Sequence, residues 1–149
     1  LDFANNFFKG QSRAMDEDTF EYIYDVSDKV TWYVQAILHG IYEHSKDVID
    51  RQLVDDVVRE IIESQSTAYQ NYCAWLTENQ QRLLTAIARE RLVTSPLGQI
   101  FIRSYNLPAV SSVKAALKSL VDKQLISKTP QGYYVSDRFF AKWLSGHVF

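Results

Sequence analysis

The chain has 149 residues, 46% of them hydrophobic and 23% charged, enough to bury a core in one domain or two small ones. No apolar run approaches the eighteen residues of a spanning helix, and no signal peptide is visible, so no membrane role is expected. Cys73 is the only cysteine, which excludes an internal disulfide and fits a reducing, cytoplasmic setting. The net charge of -2 hides a division. Residues 1–75 carry six basic and fourteen acidic side chains, a balance of -8, whereas residues 76–149 carry ten basic and four acidic ones, a balance of +6. Such asymmetry points to two modules, the second suited to a polyanion or to an acidic protein surface.

In chain order, residues 1–8 read as a short helix burying Phe3 and Phe7, with Gly10 as its cap. Met15 then leads into Asp16, Glu17 and Asp18, acids that favour the positive end of a helix dipole. Val30, Tyr33, Val34, Ile37, Leu38 and Ile41 repeat at helical spacing, and Gly40 among them predicts a close helix crossing. Asp50 opens a longer helix with paired apolar positions at Leu53/Val54, Val57/Val58 and Ile61/Ile62. Ser64, Gln65, Ser66 and Thr67 interrupt it before Tyr69, Tyr72, Cys73 and Leu76 resume the stripe, so a bend is expected there.

Thr77 and Gln80 form a capping-box pair ahead of Leu83, Leu84, Ile87 and Ala88. Ser95 and Pro96 read as the N-cap and first position of a short helix burying Leu97, Ile100, Phe101 and Tyr105. Asn106, Leu107 and Pro108 make the turn into a third helix, with Val110, Val113, Leu117, Leu120 and Val121 inward. Ser111, Ser112, Lys114, Ala115, Lys118 and Ser119 are left outward. Small hydroxyls and lysines there suit the approach to a phosphate backbone, although an ordinary solvated face has the same composition. Residues 126–129 and 133–135 alternate as strands around Pro130, Gln131 and Gly132, and residues 137–144 close the chain as a helix. Three helices, a short ribbon and a terminal helix make a winged helix-turn-helix. The fold class is thus mainly α, a helical bundle at 1–75 followed by a winged helix at 76–149 with a two-stranded wing.

His39, Glu43 and His44 share one helix without a second ligand cluster, so they read as surface histidines and no metal site is expected. Cys73 reads as a small core residue. The five glycines stand singly, and no Gly-x-x-x-x-Gly-Lys-[Ser/Thr] loop occurs to cradle a triphosphate. This stretch is therefore not expected to be an enzyme. DNA contacts are expected from Ser111, Ser112, Lys114 and Lys118, with Arg103 and Lys128 as flanking cations.

Residues 31–38 (TWYVQAIL) resemble the lid helix of archaeal-type and related bacterial P-loop ATPases of the AAA+/STAND group. Residues 76–88 (LTENQQRLLTAIA) are similar to the opening of their winged helix, 111–120 (SSVKAALKSL) to its third helix, and 134–144 (YVSDRFFAKWL) to its closing segment. The resemblance implies a non-catalytic C-terminal part of such an ATPase, with Leu1 standing where a longer chain was cut and the P-loop core upstream. It implies ATP and Mg²⁺ for the intact protein, no cofactor in this stretch, and the upstream core as a partner. The family's lid helix often begins with a glycine and a proline near the nucleotide. Lys29 and Thr31 hold the matching positions here, and Lys29 is the residue placed to reach a phosphate from an adjacent core. The winged helix is then either a DNA-binding element governed by nucleotide state or a docking module for protein.

Overall fold

The computed structural model describes residues 2, 6, 15–44 and 48–146, so most of the helix expected at 1–8, Phe3 and Phe7 included, lies outside them. The chain forms two units divided between Ser64 and Gln65.

In the first unit, α1 (Glu17–Val26), α2 (Thr31–Glu43) and α3 (Arg51–Ser64) pack around Ile23, Ile37, Leu38, Ile41, Leu53 and Val58. Asp16 caps α1 by accepting from the Thr19 amide at 2.7 Å, and Asp50 does the same for Leu53 at 2.9 Å. The expected crossing is present. A Cβ added at Gly40 would lie 2.5 Å from Val57 Cγ1, so α2 and α3 approach through the missing side chain. The Tyr22 hydroxyl donates to Asp55 at 2.6 Å, and burial together with that bond pushes its pKa well above the usual tyrosine range. Val30, expected inward, instead caps α2 from an exposed position.

In the second unit, α4 (Ser66–Ala74) precedes α5 (Glu78–Glu90), α6 (Gln99–Ser104) and α7 (Val110–Asp122). Strands β1 (Ile126–Thr129) and β2 (Gly132–Val135) pair antiparallel, with Ile126 opposite Val135 and Lys128 opposite Tyr133, and α8 (Arg138–Ser145) follows. The interrupted stripe at 64–67 is a true helix break. Its consequence is that α4, grouped with the first module by sequence, packs with the second: buried Tyr69 stacks 4.9 Å from Phe140, and the Trp143 indole donates to Ser66 Oγ at 3.1 Å. The charge division survives the earlier boundary, because residues 65–75 carry no charged side chain.

Helix α5 is the central element, packed against α7, α8 and β2 through Leu83, Leu84 and Ile87. Its capping box is complete: the Gln80 amide donates to Thr77 Oγ1 at 3.3 Å and the Thr77 amide to Gln80 Oε1 at 3.1 Å. Truncating a buried aromatic such as Phe140 in this core costs on the order of 3–5 kcal/mol.

Helix α6 begins later than its sequence suggests. Ser-Pro opens a helix, but Ser-Pro-x-Gly is equally a β-turn signature, and the turn wins: the Gly98 amide donates to Ser95 O at 2.9 Å. The frame therefore differs. Phe101, Ile102 and Tyr105 face the core, and Ile100, expected inside, is 85% exposed. Val110, also expected inside, opens α7 beyond the end of the core and is 47% exposed.

Three helices end in Schellman motifs. In α6 the Asn106 amide reaches Arg103 O at 3.1 Å and the Leu107 amide reaches Ile102 O at 2.8 Å; α1 ends likewise through Asp28 and Lys29, and α7 through Gln124 and Leu125. Each motif puts a non-glycine residue at positive φ: Asp28 at 50°, Asn106 at 47° and Gln124 at 60°. Among the described residues no helix is long and apolar enough to cross a membrane.

Candidate nucleic-acid interface

The α6 Schellman turn sets the direction in which α7 leaves, and Val113, Ala116, Leu117 and Leu120 then fix its rotation by burial. What remains outward is determined by that rotation. Ser111, Lys114, Ala115 and Lys118 are exposed, and Ser112 is half-buried. Ser119, expected outward, is half-buried and accepts from Gln80 Nε2 at 3.0 Å, tying α7 to the start of α5.

The cations differ in how free they are. Lys114 and Arg103 make no ion pair or hydrogen bond through their side chains among the described residues. Lys118 is held one turn along by Asp122, Nζ to Oδ2 at 2.6 Å, and that bond and charge raise its pKa. Lys128 lies over the ring of its cross-strand partner Tyr133, 5.6 Å from the centroid. Arg103 stands at the end of α6, before the turn, and Lys128 on the wing strand that packs beside α7. Lys29 is exposed in the turn between α1 and α2, in the other unit.

Two further cations matter that the sequence reading left out. The Arg138 guanidinium stacks 4.1 Å over the Tyr134 ring, so each tyrosine of the wing carries a basic group. The four-residue spacing from Tyr134 to Arg138 was the available signal, but it crosses a strand-to-helix junction that periodicity does not span. Arg82 is already engaged, donating to the carbonyl of Asn106.

The surface is thus a basic, small-residue helix face flanked by a wing whose cations are pre-ordered on aromatic rings. No arginine, asparagine or glutamine is presented by the exposed positions 111, 114, 115 and 118, so bidentate base reading has no donor there.

A family model described as "Probable winged helix domain" matches residues 67–146, from the first turn of α4 to the cap of α8. Comparisons with curated proteins and with solved structures gave no match. The matched region covers more than half of the chain, and the chain belongs to this winged helix family.

Proposed function

We propose that the winged helix binds duplex DNA through the outward face of α7, with little preference for sequence. The observation that carries this reading is the unpaired Lys114 beside exposed Ser111 and Ala115, on a helix face free of bulk. Lys118, Arg103 and Lys128 complete the set, and Ser111 and Ser112 supply hydrogen bonds to phosphate. About four neutralised phosphates give a slope of log K against log salt near -3.6. The acidic first unit opposes the field, so binding by the whole chain is weak at physiological salt.

In the same reading the chain is the C-terminal part of a P-loop ATPase that binds ATP and Mg²⁺ upstream, and this stretch hydrolyses no nucleotide itself. The support is the resemblance of residues 31–38 to a lid helix and the placement of Lys29 in the turn before it. An upstream Gly-x-x-x-x-Gly-Lys-[Ser/Thr] in the encoding gene is the direct test of this part.

The DNA reading is tested by salt titration of duplex binding, comparing the full chain with Lys114→Glu and with Lys114→Glu plus Lys118→Glu. Wild type should bind at low salt, and the double variant should lose at least about half of the slope. Failure of the wild type to bind at low salt, or identical slopes, would leave α7 as a face for docking protein.

A further inference from the structure

Away from the outward face of α7, a cleft of about 550 Å³ lies between the segment that follows α5 and helix α6. That volume is in the range of ligand clefts, about 300–1,000 Å³. Leu92, Val93 and Thr94 form one wall, and Ile100 and Phe101 form the other. Ile100 at 85% and Leu92 at 47% exposure face solvent at its edges.

The wall at 92–94 is an open sheet edge. Val93 exchanges both backbone hydrogen bonds with Tyr133, each at 2.9 Å, and so adds a third, one-residue strand beside β2. In a hydrogen-bonded antiparallel pair the adjoining residues turn their N–H and C=O groups to the opposite side. The Thr94 amide and carbonyl and the Leu92 carbonyl accordingly make no hydrogen bond among the described residues. Such an edge is a template for another strand.

The entry to this edge is strained. Arg91 adopts φ 65° and ψ -44°, and the Leu92 amide donates to Glu90 O at 2.7 Å, a γ-turn of the rare hand. Glu90, the one charged residue lining the cleft, sits at the C-terminal end of α5, where the helix dipole is also negative. Its Oε1 accepts from the Tyr105 hydroxyl at 2.6 Å, and its carboxylate has no other partner among the described residues. Arg89 and Arg91 lie outside the lining.

We propose that this cleft docks an extended peptide segment of a partner protein as an added strand beside residues 92–94. Main-chain bonds to Leu92 and Thr94 hold the backbone. Alternate apolar side chains of the peptide pack on Ile100, Phe101 and Leu92, and a lysine or arginine of the peptide meets Glu90. The unpaired main chain selects a peptide over a compact small molecule, and the lone carboxylate selects a basic-apolar one. The site is independent of the DNA reading, because it uses neither α7 nor the wing cations.

The test is selection of a displayed random octapeptide library on the full chain, followed by anisotropy measurements with the selected peptide. The expected consensus alternates apolar residues and includes a lysine or arginine. Ile100→Glu, at a site exposed enough to leave folding intact, should weaken binding roughly tenfold or more. Glu90→Gln, which keeps an acceptor for Tyr105, should weaken it several-fold, more so at low salt. N-methylation of the peptide amides on the pairing edge should abolish binding with every side chain retained. Lys114→Glu should change nothing, and duplex DNA should not compete. The proposal is overturned if selection yields no binder, or if binding is indifferent to Ile100→Glu and to N-methylation. It is equally overturned if the chain self-associates and Ile100→Glu abolishes that, since a second copy would then own the edge.

Discussion

Gly132→Ala is the most informative single change in the winged helix. Gly132 opens β2 at φ 145°, a region that L side chains rarely adopt. A Cβ there would lie 2.6 Å from Val93 O, 2.9 Å from Val93 C and 3.2 Å from Thr94 Cα. All three neighbours are backbone, so no rotamer change relieves the clash. Dihedral strain of about 1–3 kcal/mol and overpacking of about 1–3 kcal/mol together predict a loss of about 2–6 kcal/mol. Set against a typical domain stability of about 5–15 kcal/mol, the variant folds but is strongly weakened. The alternative relaxation is for residues 92–94 to withdraw from β2, which trades the strain for the two hydrogen bonds between Val93 and Tyr133. Urea unfolding measures the first outcome, and amide exchange at Val93 and Tyr133 reports the second. A loss under about 1 kcal/mol with both amides still protected would refute the close approach on which the third strand depends.

Other changes probe separate links. Thr77→Ala removes the side-chain half of the α5 capping box and should cost about 1 kcal/mol in thermal or urea unfolding. Gln124→Gly relieves a non-glycine residue at φ 60° in the α7 Schellman turn and should stabilise by about 0.5–1 kcal/mol, read by the same unfolding curves. Asp122→Asn releases Lys118 from its 2.6 Å pair and removes a like charge facing phosphate; duplex affinity should rise while the salt slope stays near the -3.6 of about four phosphate contacts. Unchanged affinity in that variant would mean that Lys118 takes no part in binding.

Most of the winged helix was legible because its signals agree across levels. The capping box at Thr77, the inward spacing of Val113, Leu117 and Leu120, and the Pro130-Gln131-Gly132 turn each specify one local structure, and each is present. Ser95-Pro96 was not legible because two principles compete for it. Helix initiation and a β-turn share the dipeptide, and only Gly98 three residues after Ser95 tips the balance. The alliance of α4 with α8 was hidden for another reason. Tyr69 and Phe140 are far apart in sequence, and ring stacking at that separation leaves no periodic trace. On α7 the outward set was readable from spacing, but whether a given lysine is free was not read. The i+4 neighbour is a signal the reading did not use: Lys118 has Asp122 there and Lys114 has Lys118, and the geometry shows Lys118 as the one that is held.

Departures from local rules occur in more than one place, exposed Trp75 at 84% and Val48 at 67% among them, but one group of four lies close together in sequence. Ile100 is apolar yet exposed, Leu92 is half exposed, Arg91 is non-glycine at positive φ outside the left-handed helical region, and Glu90 is an acid at the negative end of its helix. Among the described residues only Glu90 of these has a side-chain partner, the Tyr105 hydroxyl, and all four fall within residues 90–100. The Schellman positions at Asp28, Asn106 and Gln124 are also strained, but each is repaid locally by two backbone bonds and a clean helix end. The γ-turn at Arg91 gains one short bond and leaves the sheet edge at Leu92 and Thr94 unpaired. A sequence under selection for stability alone has simple remedies there, glycine at 91 and a polar residue at 100. Their absence along this one edge is what the proposed peptide-docking role of the α5–α6 side would account for.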